Sequence, residues 1–204
     1  RALRRPSTQF LILLGAAIFW ASGLDQTDLS HMDGFGLLSA LGSGWYVALM
    51  LLVVGFALAI WSTPKIPGLY GAYITGMVLL LHGSTALLYD VPRYTWTFKH
   101  LGVTEAIIHS GSVDRSLDVY NNWPGFFALA AWLSESVGVE PVMFAAWSQV
   151  FFTLATAAVL LFALRGLGIS ERVRWTAVWL YVVADWIGQN YFAPQAMGFV
   201  LSLG

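Results

Sequence analysis

The charged residues of this chain are sorted between alternate polar stretches, and long apolar runs separate those stretches. One set of stretches carries seven of the ten basic residues and a single acid, Glu171. The other set carries ten of the eleven acids, with three basic residues, Arg93, Lys99 and Arg115. Because polytopic membrane proteins retain Lys and Arg on their cytoplasmic side, the pattern predicts an all-α, multi-pass protein of a cytoplasmic membrane with a cytoplasmic N-terminus. The basic stretches contain Arg1, Arg4, Arg5, Lys65, Arg165, Arg172 and Arg174.

The composition agrees with a membrane protein. The chain is 58% hydrophobic, only 10% charged, and has a mean hydropathy of +0.69. Globular domains usually carry about 25% charged residues. The net charge of -1 argues against a nucleic-acid partner, which requires a basic face. The absence of cysteine excludes disulfides and thiolate metal sites.

A transmembrane helix needs about 20 apolar residues, and the apolar runs predict about six spans. The prolines Pro64 and Pro67 break the chain between the second and third spans. Since a sixth apolar run begins after Pro194 and continues to the last residue, we expect residues 1–204 to form one transmembrane domain at the N-terminal part of a longer protein. The five complete spans are predicted at Gln9–Leu24, Trp45–Trp61, Leu69–Tyr89, Val142–Leu164 and Trp175–Ile187.

The apolar segment Trp123–Val137 has about 15 residues and is too short for an ordinary span. If it crossed the membrane, the basic turn at residues 165–174 would lie outside. If it lies on the outer leaflet, that turn lies inside and the charge rule holds, and we favour this interpretation. Residues 90–141 are then an extracytoplasmic segment with surface helices. The outer polar stretches are Asp25–Gly44, Asp90–Trp123 and Asp185–Gln195.

The long outer segment contains two helix signals. Leu101, Glu105, Ile108 and His109 have helical spacing with one partly apolar face, which predicts an amphipathic helix on the membrane surface. Gly111 follows as a stop signal. A second helix is expected after Asn121 and Asn122, since an Asn can cap and Pro124 suits a first helical position.

The order of these features resembles a known family. The surface helix is followed by Ser110-Gly111, then by Asp-x-Tyr-x-x-x-Pro-x-Phe over residues 118–126, a short apolar helix and a Gly-Val turn. A full span ending in Arg-Gly-Leu-Gly and a further span come next. This order resembles the core module of GT-C fold membrane glycosyltransferases, over roughly Asp90–Gly204. The resemblance implies an enzyme of the bacterial cell envelope that moves a sugar from a polyprenyl-phosphate donor to an extracytoplasmic glycan, lipid or protein acceptor.

Two departures from the family are visible. Many members open the surface helix with an acidic pair that supplies the catalytic base, whereas this chain has Trp96 and Thr97 near that position. Members also often have one span before this loop, whereas three are predicted here. Asp90 is the nearest upstream acid. The acidic loop that contains Asp25, Asp28 and Asp33 is the alternative source of the base.

The chemistry implied by the resemblance assigns roles to the outer polar residues. A carboxylate must deprotonate the acceptor hydroxyl and cations must stabilise the phosphate leaving group. We assign the base to Asp90 and phosphate binding to Arg93, Lys99 and His100. Binding of the sugar or acceptor is assigned to polar and aromatic residues of two outer stretches. These are Trp96 or Trp123 for stacking, and Asp118, Tyr120, Asn121, Asn122, Asp185, Gln189, Asn190 and Gln195 for hydrogen bonding.

Each assignment has a structural alternative. Arg93 and Lys99 are also suited to anchor lipid phosphates, Asp90 to mark a span boundary, and Asp118 and the Asn pair to cap a helix. His82 lies inside the third span and is either a functional group at membrane depth or a helix–helix hydrogen bond.

The four histidines form no His-x-x-x-His pair, so no metal ligand is assigned, although a Mg²⁺ or Mn²⁺ site built from Asp oxygens stays open. The competing functions are a transporter or flippase for a lipid-linked or small polar substrate, and a non-catalytic membrane subunit.

Overall fold

The computed structural model describes residues 6–61, 66, 68–185 and 188–204. This part of the chain is all-helical, with 77% helix and no strand. Several residues of the sequence argument lie outside it. They are Arg1, Arg4, Arg5 and Lys65 of the basic stretches, Pro64 and Pro67 of the predicted break, and Ile187 at the predicted end of the fifth span.

The described residues form ten α-helices and three short helical turns. The 3-10 turns are Leu29–His31 and Val119–Asn122, and the π-helical turn Leu79–Gly83 joins α4 and α5 into one continuous helix. The α-helices are α1 Pro6–Asp25, α2 Leu37–Ala40, α3 Ser43–Ile60, α4 Leu69–Val78, α5 Ser84–Leu88, α6 Thr95–Ser110, α7 Gly125–Val137, α8 Pro141–Gly166, α9 Glu171–Ala184 and α10 Pro194–Leu203.

Within the described residues, four helices are long and apolar enough to cross a membrane: Pro6–Asp25, Ser43–Ile60, Leu69–Leu88 and Pro141–Gly166. They coincide with four of the predicted spans. The predicted fifth and sixth spans are not confirmed. Helix α9 has 14 residues, which at about 1.5 Å per residue is shorter than the hydrocarbon core of about 30 Å, and the sequence given ends one residue after α10. Helix α7, with 13 residues, is also shorter than a span.

The chain forms two compact units. Unit 1 comprises Arg1–Ser84 and Leu167–Ala184, and unit 2 comprises Thr85–Gly166 and Asp185–Gly204. In unit 1, α1 packs along α3 with their backbones in close contact. A Cβ atom on Gly23 would lie 2.2 Å from the Trp45 backbone nitrogen, and one on Gly44 would lie 2.5 Å from the Phe19 carbonyl oxygen. Small residues allow this approach, as they commonly do between membrane helices.

The π-helical turn of unit 1 is held by indole groups from two other helices. Trp20 Nε1 and Trp45 Nε1 donate to Ser84 Oγ at 2.9 and 3.0 Å, and Ser84 Oγ donates to the Leu80 carbonyl oxygen at 2.6 Å. Trp45 Nε1 also lies 3.3 Å from that carbonyl oxygen. Side chains that insert into the backbone hydrogen-bond ladder are a recognised cause of irregular helix turns. His82 lies within this turn, two residues before Ser84.

Helix α9 attaches to the end of α3 through Arg172. Its Nε donates to the Ile60 carbonyl oxygen at 3.0 Å, and its guanidinium lies 4.3 Å from the Trp61 ring centroid. Further along, Trp179 stacks on Phe56 with centroids 4.2 Å apart. A cation at the C-terminal end of a helix satisfies its last carbonyl groups and complements its dipole. The start of α9 and the end of α3 therefore lie on the same side of unit 1.

Unit 2 is built from α6, α7, α8 and α10 around a core of aromatic and aliphatic side chains. The segment before α10 contributes Phe192, whose ring lies 4.8 Å from that of Phe126. Phe127 is fully buried. The core residues are Leu101, Val103, Ile107, Phe126, Phe127, Ala130, Ala131, Ala145, Phe152, Phe192 and Ala196.

The contact between α1 and α3 predicts that Gly23→Ala destabilises the protein. The added methyl group would lie within 2.9 Å of backbone atoms of Gly44 and Trp45, and overpacking of this kind costs about 1–3 kcal/mol. We expect a lower Tm in detergent. Gly15→Ala, on the same helix, is the matched control, because its methyl group would meet only Leu51 Cδ1 at 3.6 Å. An equal Tm for both variants would contradict the close contact.

Candidate functional site

Unit 2 contains a cavity of about 260 Å³ between three parts of its chain. These are the segment from the end of α5 to the start of α6, the first third of α8, and the residues just before α10. We call it the Arg93 cavity. Its lining residues are Thr85, Ala86, Tyr89, Val91, Pro92, Arg93, Tyr94, Thr97, Ala145, Ala146, Ser148, Gln149, Gly188 and Tyr191.

Arg93 is the sole charged side chain among the described residues that line this cavity. Its guanidinium lies 5.1 Å from the centroid of the Tyr89 ring, a cation–π contact that orients the side chain. The guanidinium is always charged and offers a planar set of N–H donors that matches the oxygens of a phosphate or carboxylate. The cavity is therefore suited to an anion.

The other polar groups of the cavity are neutral. Thr97 and Ser148 are buried, and Gln149 and Tyr191 also line the wall. The Tyr191 hydroxyl oxygen accepts a hydrogen bond from Gln195 Nε2 at 2.7 Å. Burial raises the pKa of Tyr191, so the phenol keeps its proton at neutral pH. The Tyr191 O–H can therefore donate to a ligand.

A hydrogen-bond network behind the wall centres on Asn190, which is buried with Thr153. Asn190 Nδ2 donates to Thr153 Oγ1 at 2.5 Å and to Asp185 Oδ2 at 3.1 Å. Gln149 Nε2 donates to Asn190 Oδ1 at 3.4 Å. The network ties the segment before α10 to α8. Nearby, Gln195 Nε2 lies 3.4 Å from Gln189 Oε1.

His100 is buried in the core beside this segment and does not line the cavity. Its Nδ1 lies 2.8 Å from the Phe192 carbonyl oxygen, and a carbonyl only accepts, so Nδ1 carries a proton. Its ring stacks on Tyr191 with centroids 5.7 Å apart. Burial lowers the pKa of His100, although the bond to Phe192 opposes this. His100 is therefore neutral at neutral pH and lacks the charge expected of a phosphate ligand.

Lys99 lies at a different cavity of unit 2, of about 300 Å³, where it forms an ion pair with Asp118. Asp118 Oδ1 also accepts from the Tyr120 backbone N–H at 3.0 Å, which caps the 3-10 turn. The hydrogen bond from Lys99, and then that from Tyr120, lowers the pKa of Asp118. The same cavity is lined by Asn121, which is buried and donates from Nδ2 to the Asp114 carbonyl oxygen at 2.6 Å. Asn121 Oδ1 has no partner within the described residues.

The remaining predicted site residues line neither of these two cavities. Asp90, Trp96, Asn122 and Trp123 are exposed, and Asp90 stands in the chain between two lining residues, Tyr89 and Val91. The Tyr120 ring packs edge-on against His100 at 5.2 Å. The structure thus brings Arg93 together with the Asp185–Gln195 stretch and places Lys99, Asp118 and Asn121 elsewhere.

Most of the polar cavity wall is not predicted by the sequence. It is formed by Thr97, Ser148, Gln149 and Tyr191. A signal was present for two of them, because Ser148 and Gln149 lie inside an apolar run predicted to span the membrane. Polar residues within such runs are candidates for function.

Among the described residues, no three or more His, Asp or Glu side chains are grouped so that they could hold a metal ion. A Mg²⁺ or Mn²⁺ site built from Asp oxygens therefore gains no support from this part of the chain.

No protein-family model, curated protein or solved structure matches this chain.

Proposed function

We propose that this chain belongs to a GT-C-like membrane glycosyltransferase, which moves a sugar from a polyprenyl-phosphate donor to an extracytoplasmic glycan, lipid or protein acceptor. One observation carries the proposal. The Arg93 cavity combines a single cation with neutral hydrogen-bonding groups, in the long segment that the charge pattern assigns to the outer side.

The composition of the cavity fits the headgroup of such a donor. Arg93 supplies the bidentate contact that suits a phosphate. Thr97, Gln149 and Tyr191 are neutral groups that suit sugar hydroxyls. A volume of about 260 Å³ lies below the usual range of about 300–1,000 Å³ for small-molecule pockets. The cavity would therefore hold a headgroup while the polyprenyl chain stays in the bilayer.

Exposed aromatic side chains support a position of the site at the membrane surface. Trp96 and Phe98 on α6 are 57% and 48% exposed, and Trp123 is 74% exposed. Trp is enriched at the membrane–water interface because its ring is apolar and its N–H is polar. A cavity at that depth would be reached by a lipid donor from the side.

Asp90 is the proposed general base. It is exposed and next in the chain to two residues of the cavity wall. Of the alternatives Asp25, Asp28 and Asp33, the last two are held in local turns, where they accept from the backbone N–H of Ser30 and Phe35. Hydrogen bonds to Ser30 lower the pKa of Asp28, and the one from Phe35 lowers that of Asp33. A lower pKa makes these carboxylates weaker bases.

The first test replaces the cavity cation. In Arg93→Gln the charge-assisted hydrogen bonds to phosphate are lost, and we expect donor affinity to fall about 10- to 100-fold. Binding of a short-chain polyprenyl-phosphate sugar to the purified chain measures the effect. Arg115→Gln is the matched control, since Arg115 is an exposed arginine of the same segment outside the cavity. Equal donor affinity in both variants would show that Arg93 does not bind the donor and would favour a role as a lipid anchor.

The second test removes the base. Asp90→Asn keeps the size of the side chain but cannot take a proton, so we expect transfer to fall by about 10²- to 10⁴-fold. Donor binding and Tm should stay at wild-type values. Full activity of the variant, measured as labelled sugar transferred by the complete protein, would exclude Asp90 as the base.

A transport function is the second candidate. The observation that favours it is the π-helical turn around His82 within a candidate span, because such turns are frequent at functional sites. Donor binding by the complete protein without transfer to any acceptor would favour transport over the transferase.

The proposed topology places the N-terminus and residues 165–174 in the cytoplasm and residues 90–141 outside. We expect single Cys probes at Ser112 and Val137 to react with an impermeant maleimide in intact cells, and one at Ser170 to react only after lysis. All three positions are exposed, and the chain has no cysteine of its own. Labelling of Ser170 from outside would reverse the assignment of that turn.

A further inference from the structure

The orientation of the Asn190 amide is fixed by its partners. Asp185 Oδ2 lies 3.1 Å from Asn190 Nδ2, and a carboxylate can only accept hydrogen bonds. The nitrogen of Asn190 must therefore face Asp185. Its second hydrogen goes to Thr153 Oγ1 at 2.5 Å, so both donors of this amide are used.

The orientation of the Asn190 amide also fixes that of the Gln149 amide. Since Asn190 Nδ2 is fixed, Asn190 Oδ1 is the atom that faces Gln149, and it can only accept. Gln149 must therefore turn its Nε2 toward Asn190, at 3.4 Å. Gln149 Oε1 then has no partner among the described residues, on a side chain that lines the Arg93 cavity.

We propose that Gln149 Oε1 accepts a hydrogen bond from a hydroxyl of the glycosyl group in the Arg93 cavity, and that Asp185 and Asn190 are positioning residues for it. This inference rests on the proposed function and deepens it. Arg93 binds the anionic part of the ligand, and Gln149 recognises the sugar. The ligand class is a glycosyl phosphate, in preference to a bare alkyl phosphate.

Tyr191 complements Gln149 in this arrangement. Its hydroxyl oxygen accepts from Gln195, which leaves its proton for a ligand. Together they offer the cavity an acceptor, Gln149 Oε1, and a donor, the Tyr191 O–H. Sugar hydroxyls both donate and accept, so they suit both kinds of group, whereas a hydrocarbon suits neither and an ether oxygen can only accept.

The test compares two probes on the full chain in detergent. Farnesyl phosphate carries only the anion, and farnesyl-phosphoryl glycosides of mannose, glucose, galactose and arabinose carry the anion and a sugar. In Gln149→Met, which keeps the length of the side chain but removes its acceptor oxygen, we expect affinity for the preferred glycoside to fall about 10-fold. Affinity for farnesyl phosphate should change less than twofold, which also reports that the variant is folded.

Two further variants distinguish a positioning role of Asp185 and Asn190 from a general effect on folding. In Asp185→Asn the new amide can also donate, so Asn190 is free to turn over, and we expect the same loss for the glycoside alone. Gln26→Met is the matched control, since Gln26 is exposed, has no proposed binding role and does not line the cavity. If Gln149→Met fails to fold, Gln149→Asn keeps the amide but withdraws its oxygen from the ligand, and the same selective loss is expected.

The outcomes distinguish this inference from the proposed function. An equal loss for both probes in Gln149→Met, or no loss for either, overturns the inference while donor binding by the wild-type chain stands. Wild-type protein that binds neither probe overturns the proposed function itself.

Discussion

In both units, a few buried polar side chains among the apolar helices are satisfied by hydrogen bonds to other side chains, and these bonds tie the helices together. In unit 1, Ser84 collects two indole N–H groups, and the Tyr73 hydroxyl donates to Gln9 Oε1 at 2.6 Å. In unit 2, Asn190 joins Thr153 to Asp185. An unsatisfied polar group costs several kcal/mol in a bilayer, on the order of the stability of a whole domain. These contacts therefore fix the helix register as well as the cavity wall.

The same constraint makes a group without a protein partner informative. Lys99 is paired with Asp118, which places its charge away from the Arg93 cavity. Gln149 uses its nitrogen for Asn190 and keeps its oxygen at the cavity. Gln149 and Tyr191 thus each use one hydrogen-bonding group for a protein partner and keep another for a ligand in the cavity. Such preorganisation lets a ligand bind without paying to reorder the groups that contact it.

The lengths of the apolar runs predicted the long helices. Four predicted runs match the helices Pro6–Asp25, Ser43–Ile60, Leu69–Leu88 and Pro141–Gly166. The last two predicted spans are not confirmed, since α9 has 14 residues and the sequence given ends one residue after α10. Arg93, Lys99 and His100 are close in the sequence, which suggests one cationic cluster, but sequence proximity takes no account of helix geometry. Adjacent residues on a helix point about 100° apart, so Lys99 and His100 in α6 face different neighbours. The cavity wall also depends on the packing of residues 188–193 against α8. No local sequence pattern predicts this long-range contact.

The charge pattern of the sequence makes the position of Arg93 at a cavity informative. Basic residues are scarce in the acidic stretches, which hold three of the ten. Lys99 is neutralised by Asp118. Arg93, in contrast, lines a cavity with no acidic side chain among its described lining residues, and rests on the ring of Tyr89. A lipid anchor needs only a charge at the membrane surface, and open surface would serve it as well. Arg93 is exposed, but its guanidinium lies against the Tyr89 ring and it lines a cavity that the buried Thr97 and Ser148 also line. This arrangement is better suited to bind an anion in a defined orientation.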